Sequence, residues 1–187
     1  MEEKLNIVEE VRKFVEEECK KPTNKYGYEP YEDHFIPVRN YAVQLAKDKG
    51  VDVEVVEIAA LLHDIGSIIY GREEHHITGA KIAEEKLKEL NYPGEKIEVV
   101  KKCILNHRGS INNSRESVEE QIITEADALS TFDSIEGKFR AAYSEGLNQK
   151  QTRKSVRQKF INKWNQLSSE GKELIKPKYE AAMLLLK

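Results

Sequence analysis

An all-α bundle is the fold this chain predicts, and three observations predict it. No stretch sustains the every-second-residue alternation of a half-buried strand. Apolar residues recur instead at three- and four-residue spacing in segment after segment. Start and stop signals, such as Asp52 and Ser117 before a stripe or Gly50 after one, bracket the segments.

Residues 3–19 place Leu5, Val8, Val11, Val15 and Cys19 on one helical stripe. Lys20 to Glu32 holds Pro22, Gly27 and Pro30 and reads as a loop. Asp33 can cap the next helix, with Pro37 tolerated in its first turn; Val38, Tyr41, Ala42 and Leu45 then face inward, and Gly50 ends it. Asp52 caps a helix from Val53 to about Ile65, and Val55, Val56 and Ile58 to Leu62 leave it little polar surface, as in a buried central helix. Residues 67–72 read as a loop, followed by a helix from about Glu73 to Leu90 that faces inward through Ala80, Ala83, Leu87 and Leu90. After the turn Asn91-Tyr92-Pro93-Gly94, a stripe through Ile97, Val100 and Ile104 lands on His107. Gly109 to Ser114 is a polar loop; Ser114 or Ser117, with Glu120, offers a capping box to a helix through Val118, Ile122, Ala126 and Leu129. From about Asp133 onward two or three helices remain, broken near Gly146 and Ser168-Ser169.

Composition narrows the class without revealing chemistry. The 187 residues are 39% hydrophobic and 34% charged, with a formal charge of −3, which suits a soluble globular chain and argues against nucleic-acid coating. The longest apolar runs, Ile58–Leu62 and Ala181–Leu186, fall far short of a membrane span, and Met1-Glu2-Glu3-Lys4 does not resemble a signal peptide. Cys19 and Cys103 give no disulfide framework, so a reducing cytoplasm is expected.

All five histidines (His34, His63, His75, His76 and His107) fall between positions 34 and 107. His63 continues the Val56–Ala60 line, Asp64 follows it directly, and Asp127 abuts the Ile123–Ala126 stripe. Burying several imidazoles and two carboxylates in one helical core is costly unless a divalent cation compensates them. Mixed His and Asp ligation suits Mn²⁺, Fe²⁺, Co²⁺, Ni²⁺, Zn²⁺ or Mg²⁺ rather than a cysteine-zinc site.

The motif set His34, His63-Asp64 and Asp127, embedded in Leu61-Leu62-His63-Asp64-Ile65-Gly66, resembles the HD-domain metal-dependent phosphohydrolase superfamily. Asp33-His34-Phe35-Ile36-Pro37-Val38-Arg39 is similar to that family's first-histidine helix, and Glu125-Ala126-Asp127-Ala128-Leu129 to its closing aspartate. His75-His76-Ile77-Thr78-Gly79-Ala80 and Asn106-His107 resemble segments of members with a second metal. The match spans roughly residues 30–145 of a single 1–187 domain, leaving a helical extension from about 146 to 187. The resemblance implies one or two ions, held by His34, His63, Asp64 and Asp127, with His75 and His107 as candidate ligands of the second ion or substrate contacts. His75 is preferred to His76 for its spacing to Gly79. Ser67 and Glu125 depart from the pattern, standing where a basic residue and an aspartate are common. The segments typical of cyclic-dinucleotide phosphodiesterases and alarmone hydrolases are absent.

The expected activity is metal-assisted hydrolysis of a phosphate ester of a nucleotide or another small phosphorylated metabolite, with Asp64 as ligand and general base and with His75 and His107 serving the second ion or the leaving group. Arg39, Arg72, Arg108 and Arg140 are candidate phosphate contacts, Arg108 foremost; the bland reading of each is a surface residue or an ion-pair partner. The basic run Lys150, Arg153, Lys154, Arg157, Lys159 and Lys163 reads as a solvated helix face, with a weak polyanion or partner surface as the sharper alternative. A silent ligand-sensing protein whose tail forms a homodimer or partner surface, and a di-iron oxygenase on the same fold, are the competing readings.

Overall fold

The computed structural model describes residues 6–24, 26–108 and 115–187, and within them the chain is helical from end to end. Positions 3–5 of the expected first stripe, Leu5 among them, and the Gly109 to Ser114 loop lie outside the described residues.

Helix α1 (Ile7–Lys20) starts where the Asn6 side chain accepts the Glu9 amide, and it buries Val11, Val15 and Cys19 as the stripe requires. The second helix does not wait for Asp33. Its backbone turns helical before that residue, passes through a π-helical turn (Tyr31–Phe35) and runs on as α2 (Ile36–Lys49). The Ile36 amide donates to the Tyr31 carbonyl five residues back. Pro37 has no N–H to give, and the wider winding ahead of it accommodates the missing bond. Tyr31 and Phe35 are buried on either side of His34, which is thereby carried to the core wall.

Asp52 caps α3 (Val53–Leu62) through the Val55 amide, and Val55, Val56 and all of Ile58 to Leu62 are buried. It is the central helix, packed by α1, α2, α6 and α7. At its end the chain departs from the helix expected to about Ile65. The helix stops at Leu62, Asp64 takes φ −112° and ψ 12°, and α4 (Ile65–Tyr70) occupies most of the stretch expected as loop. Burial explains it: Ile65, Gly66 and Ile68 pack inward, so a six-residue helix too short to stand alone is held by its neighbours.

Helix α5 (His75–Glu89) crosses α4 at two glycines. A Cβ at Gly66 would collide with the His75 carbonyl and lie 2.5 Å from Thr78 Oγ1 and 2.7 Å from the Gly79 amide nitrogen. Only a glycine allows that approach, and the approach sets the first turn of α5 against Asp64. Helices α6 (Gly94–Asn106) and α7 (Val118–Ser130, capped by Ser117) close the wall around α3.

The last three helices, α8 (Ile135–Ser144), α9 (Gln149–Gln166) and α10 (Ser169–Leu185), form a second core group with the end of α7. Phe132 packs edge-on against Phe160, and Trp164 stacks on Tyr179. Glu125 explains its departure from aspartate here: its longer side chain accepts from both the amide and the hydroxyl of Ser168, tying α7 to the cap of α10. Among the described residues no helix is long and apolar enough to cross a membrane. Both cysteines are buried free thiols, and burial pushes Cys19 up to about 12.

Candidate metal centre

Four histidines and two aspartates converge where the π turn, the α3–α4 break, α5, the end of α6 and α7 meet. They sort into two groups whose ligand atoms lie within 4.8 Å of one another: His34, His63 and Asp127, and Asp64, His75 and His107. Every metal residue expected from the sequence is thus in one cluster, and His75 rather than His76 faces it.

The hydrogen bonds fix which ring nitrogen carries each proton. His63 Nδ1 lies 2.8 Å from the Ala60 carbonyl, His75 Nδ1 lies 2.9 Å from the Arg72 carbonyl and His107 Nδ1 lies 2.6 Å from the Ile104 carbonyl. A carbonyl only accepts, so each Nδ1 donates. Ser130 Oγ donates to the Asp127 carbonyl at 2.9 Å and therefore accepts from His34 Nδ1 at 3.2 Å. In their neutral forms all four rings turn a bare Nε2 lone pair inward. Those lone pairs meet in facing pairs, His34 with His63 at 3.0 Å and His75 with His107 at 3.3 Å.

Asp64 joins the two pairs. Its Oδ2 lies 3.4 Å from His34 Nε2 and 3.7 Å from His63 Nε2, while its Oδ1 lies 3.1 Å from His75 Nε2 and 3.3 Å from His107 Nε2. Asp127 Oδ1 completes the first group, 3.7 Å from His34 Nε2, and its Oδ2 is held at 2.6 Å by Lys163. The break after His63 produces this arrangement, because it turns Asp64 into the same space as its neighbour instead of 100° around a continuing helix.

Charge in the cluster is finely balanced. Burial drives His63 down to about 4, so its ring is neutral at pH 7. Burial also disfavours the charged form of His107, yet the Asp64 carboxylate outweighs it and draws the ring above its usual value. For Asp127 burial is outweighed by Lys163 and the nearby imidazoles, which hold the carboxyl below the ordinary range. Asp64 Oδ1 is buried and makes no well-formed hydrogen bond. Facing lone pairs and an orphaned buried carboxylate oxygen are what a divalent cation would satisfy, so the residues fit a metal ion.

The phosphate candidates are dispersed. Arg39 is taken up by Glu57 through two nitrogens, and Arg140 pairs with Glu29 at 2.6 Å. Both guanidiniums are thus paired with a carboxylate in this structure. Arg72 is exposed and lies 3.5 Å from Glu145. Arg108 is half-buried next to His107, and its carbonyl accepts from Arg115 at 3.2 Å. Lys163, read from the sequence as part of a solvated face, reaches Asp127 Oδ2 at 2.6 Å, and Lys138 is not singled out by the sequence at all. The run on α9 is not a uniform solvated face, because Lys159 and Lys163 lie one turn apart beside buried Val156 and Phe160, whereas Lys150, Arg153, Lys154 and Arg157 are exposed. That four-residue spacing beside a stripe was the available signal.

A family model, the HD domain, matches residues 31–131, which hold all six cluster residues. The chain belongs to the HD-domain superfamily of metal-dependent phosphohydrolases. HD domains bind divalent metals, in keeping with the cluster. An uncharacterized protein of Clostridium beijerinckii is 32% identical over 101 residues, 52% of this chain and 62% of that protein. Ribonuclease Y of Petrotoga mobilis is 35% identical over 107 residues, 56% of this chain and 19% of the ribonuclease. This HD chain therefore matches under two thirds of either relative's length. Among solved structures, an HD-superfamily hydrolase from Bacillus thuringiensis has a TM-score of 0.71 at 19% identity, covering 95% of this chain and 91% of its own. Bacillus subtilis YpgQ in complex with ADP gives 0.69 at 18% identity, covering 95% and 92%. At those identities the likeness is one of fold, and it includes the C-terminal helices.

Proposed function

We propose that this HD domain hydrolyses a phosphate ester of a small metabolite, a nucleotide foremost, with two divalent ions held by the cluster. One observation carries the reading: the two oxygens of Asp64 face different pairs of inward Nε2 atoms, as a bridging carboxylate would. Bound there, divalent ions supply Lewis acidity toward phosphoryl oxygens and make water acidic enough to attack at neutral pH.

The chain's own residues do the remaining work. His34, His63 and Asp127 Oδ1 would hold one ion, and His75 and His107 the other, with Asp64 between them. Ser130 and the carbonyls of Ala60, Arg72 and Ile104 fix the ring tautomers, and Lys163 leaves Asp127 Oδ1 free. Each Asp64 oxygen keeps a lone pair, so Asp64 can also accept a proton from the attacking water. The ADP in YpgQ, which matches this chain along nearly its whole length, is in keeping with a nucleotide ligand.

The test is a panel of nucleotides and sugar phosphates assayed with Mn²⁺, Co²⁺, Ni²⁺ and Mg²⁺ on the wild type and Asp64→Asn. Phosphate release that needs a metal and falls at least a hundred-fold in the variant is expected. No release with any pair, or redox turnover of bound iron without phosphate release, overturns the proposal.

A further inference from the structure

Two lysines of the C-terminal helices have no anionic partner. Lys138 on α8 and Lys159 on α9 are half-buried, and among the described residues neither makes an ion pair or a hydrogen bond. An ammonium that gives up water without gaining a carboxylate is costly, and an anionic ligand would offset that cost.

Lys138 lies within electrostatic range of Asp127, Lys163, Asp64 and Asp33, and Lys159 within range of Lys138, Arg72, Lys163 and Asp127. The backbone explains how. Helix α8 begins against the π turn that carries His34, so close that a Cβ on Gly137 would lie 4.0 Å from Asp33 Oδ2. On α9, Lys159 sits one turn before Lys163, whose Nζ reaches Asp127 at 2.6 Å. Burial and mutual repulsion lower Lys159 to about 8, as expected for cations gathered without a counter-ion.

Charge then selects the ligand. Lys163 is balanced by Asp127, and metal would satisfy Asp64, so Lys138 and Lys159 are left over. A single phosphoryl group engaged at the metal cluster has no charge to spare for them; a second, adjacent phosphate does. We propose that Lys138 and Lys159 form an anion subsite beside the metal cluster that receives the second phosphate of a substrate carrying adjacent phosphates, such as a nucleoside di- or triphosphate. Both residues lie beyond the 31–131 span that defines the family, and Ser67 leaves the position after His-Asp-Ile-Gly without a basic residue. The inference rests on the phosphohydrolase reading.

Calorimetry of the full chain in excess Mg²⁺ tests it with two probes: orthophosphate, and methylenediphosphonate, whose P–C–P link resists hydrolysis. The wild type should bind the diphosphonate at least ten-fold tighter than orthophosphate. Lys138→Gln and Lys159→Gln should each weaken the diphosphonate about ten-fold and barely move orthophosphate. Lys154→Gln, exposed on the same helix, should change neither. Thermal melts verify folding, and Lys→Met versions, which keep the side-chain stem, replace any glutamine variant that melts early. Equal affinity for the two probes in the wild type, parallel losses for both probes, or an effect of Lys154→Gln overturns the subsite. Metal-dependent hydrolysis without a lysine-dependent preference removes the subsite and leaves the proposed function. Lysine-dependent binding without hydrolysis does the reverse.

Discussion

Replacing Gly66 by Ala adds one methyl group at the place where α4 and α5 touch. The new Cβ would collide with the His75 carbonyl and lie 2.7 Å from the Gly79 nitrogen, and both neighbours are backbone, so the helices must part by about 1 Å to reach ordinary contact. Overpacking of this kind costs about 1–3 kcal/mol, against a gain of up to about 1 kcal/mol from alanine's better helix propensity. A net loss near 1 kcal/mol lowers Tm by about 2–4 °C in a chain of this size. The larger effect is on the site. His75 opens α5, and its Nε2 is 3.1 Å from Asp64 Oδ1, so a 1 Å separation dismantles the second ligand group and should reduce turnover about a hundred-fold. Gly79→Ala meets Ile104 Cγ2 at 3.3 Å and the Gly66 nitrogen at 3.4 Å, and should show the same defects in milder form. Circular-dichroism melts and metal analysis of both variants are the assay. A Gly66→Ala protein as stable as wild type with its metal content intact would refute the claim that this crossing sets the site.

Lys163→Met removes the partner that orients Asp127. Metal affinity should fall about 10–100-fold, and the metal-free protein should lose about 2 kcal/mol, toward the low side for a broken buried pair because both side chains keep some water contact; calorimetric titration with Mn²⁺ and denaturant melts measure the two effects. Metal affinity should also fall as pH drops. His107 is held above its ordinary value in the metal-free chain and must shed its proton before the ring can ligate, so binding is strongest above that value and weakens below it. Titrations between about pH 6 and 8 in buffers of different ionisation enthalpy detect the released proton, and a flat profile would remove His107 from the ligand set. Glu125→Asp installs the residue common elsewhere but retracts the carboxylate from Ser168. Stability should drop by about 1 kcal/mol in thermal melts while metal content stays constant.

The sequence exposed the cluster because its members sit where helical rhythm ends. His63 and His107 extend apolar stripes, and each is buried beside the carbonyl of the preceding turn. Capping residues marked the starts of α3 and α7 for the same local reason. What stayed hidden depends on distant packing. The π turn forms because Pro37 and the buried Tyr31 and Phe35 require it together, and α4 survives only against α5. The arginines were chosen by type, and their pairing, Arg39 with Glu57 and Arg140 with Glu29, depends on contacts between distant segments. Lys138 and Lys159 carry no motif; only the docking of α9 onto α7, and of α8 onto α9, brings them toward the cluster.

Counting metal is the most direct test of a carboxylate bridging two imidazole pairs. Equilibrium dialysis of the full chain against Mn²⁺, followed by elemental analysis, should give about two ions per chain. His34→Ala and His107→Ala should each retain about one, and Asp64→Ala should bind neither ion firmly. Saturation of the wild type at one ion, or a second ion that survives the loss of His107, would contradict the arrangement.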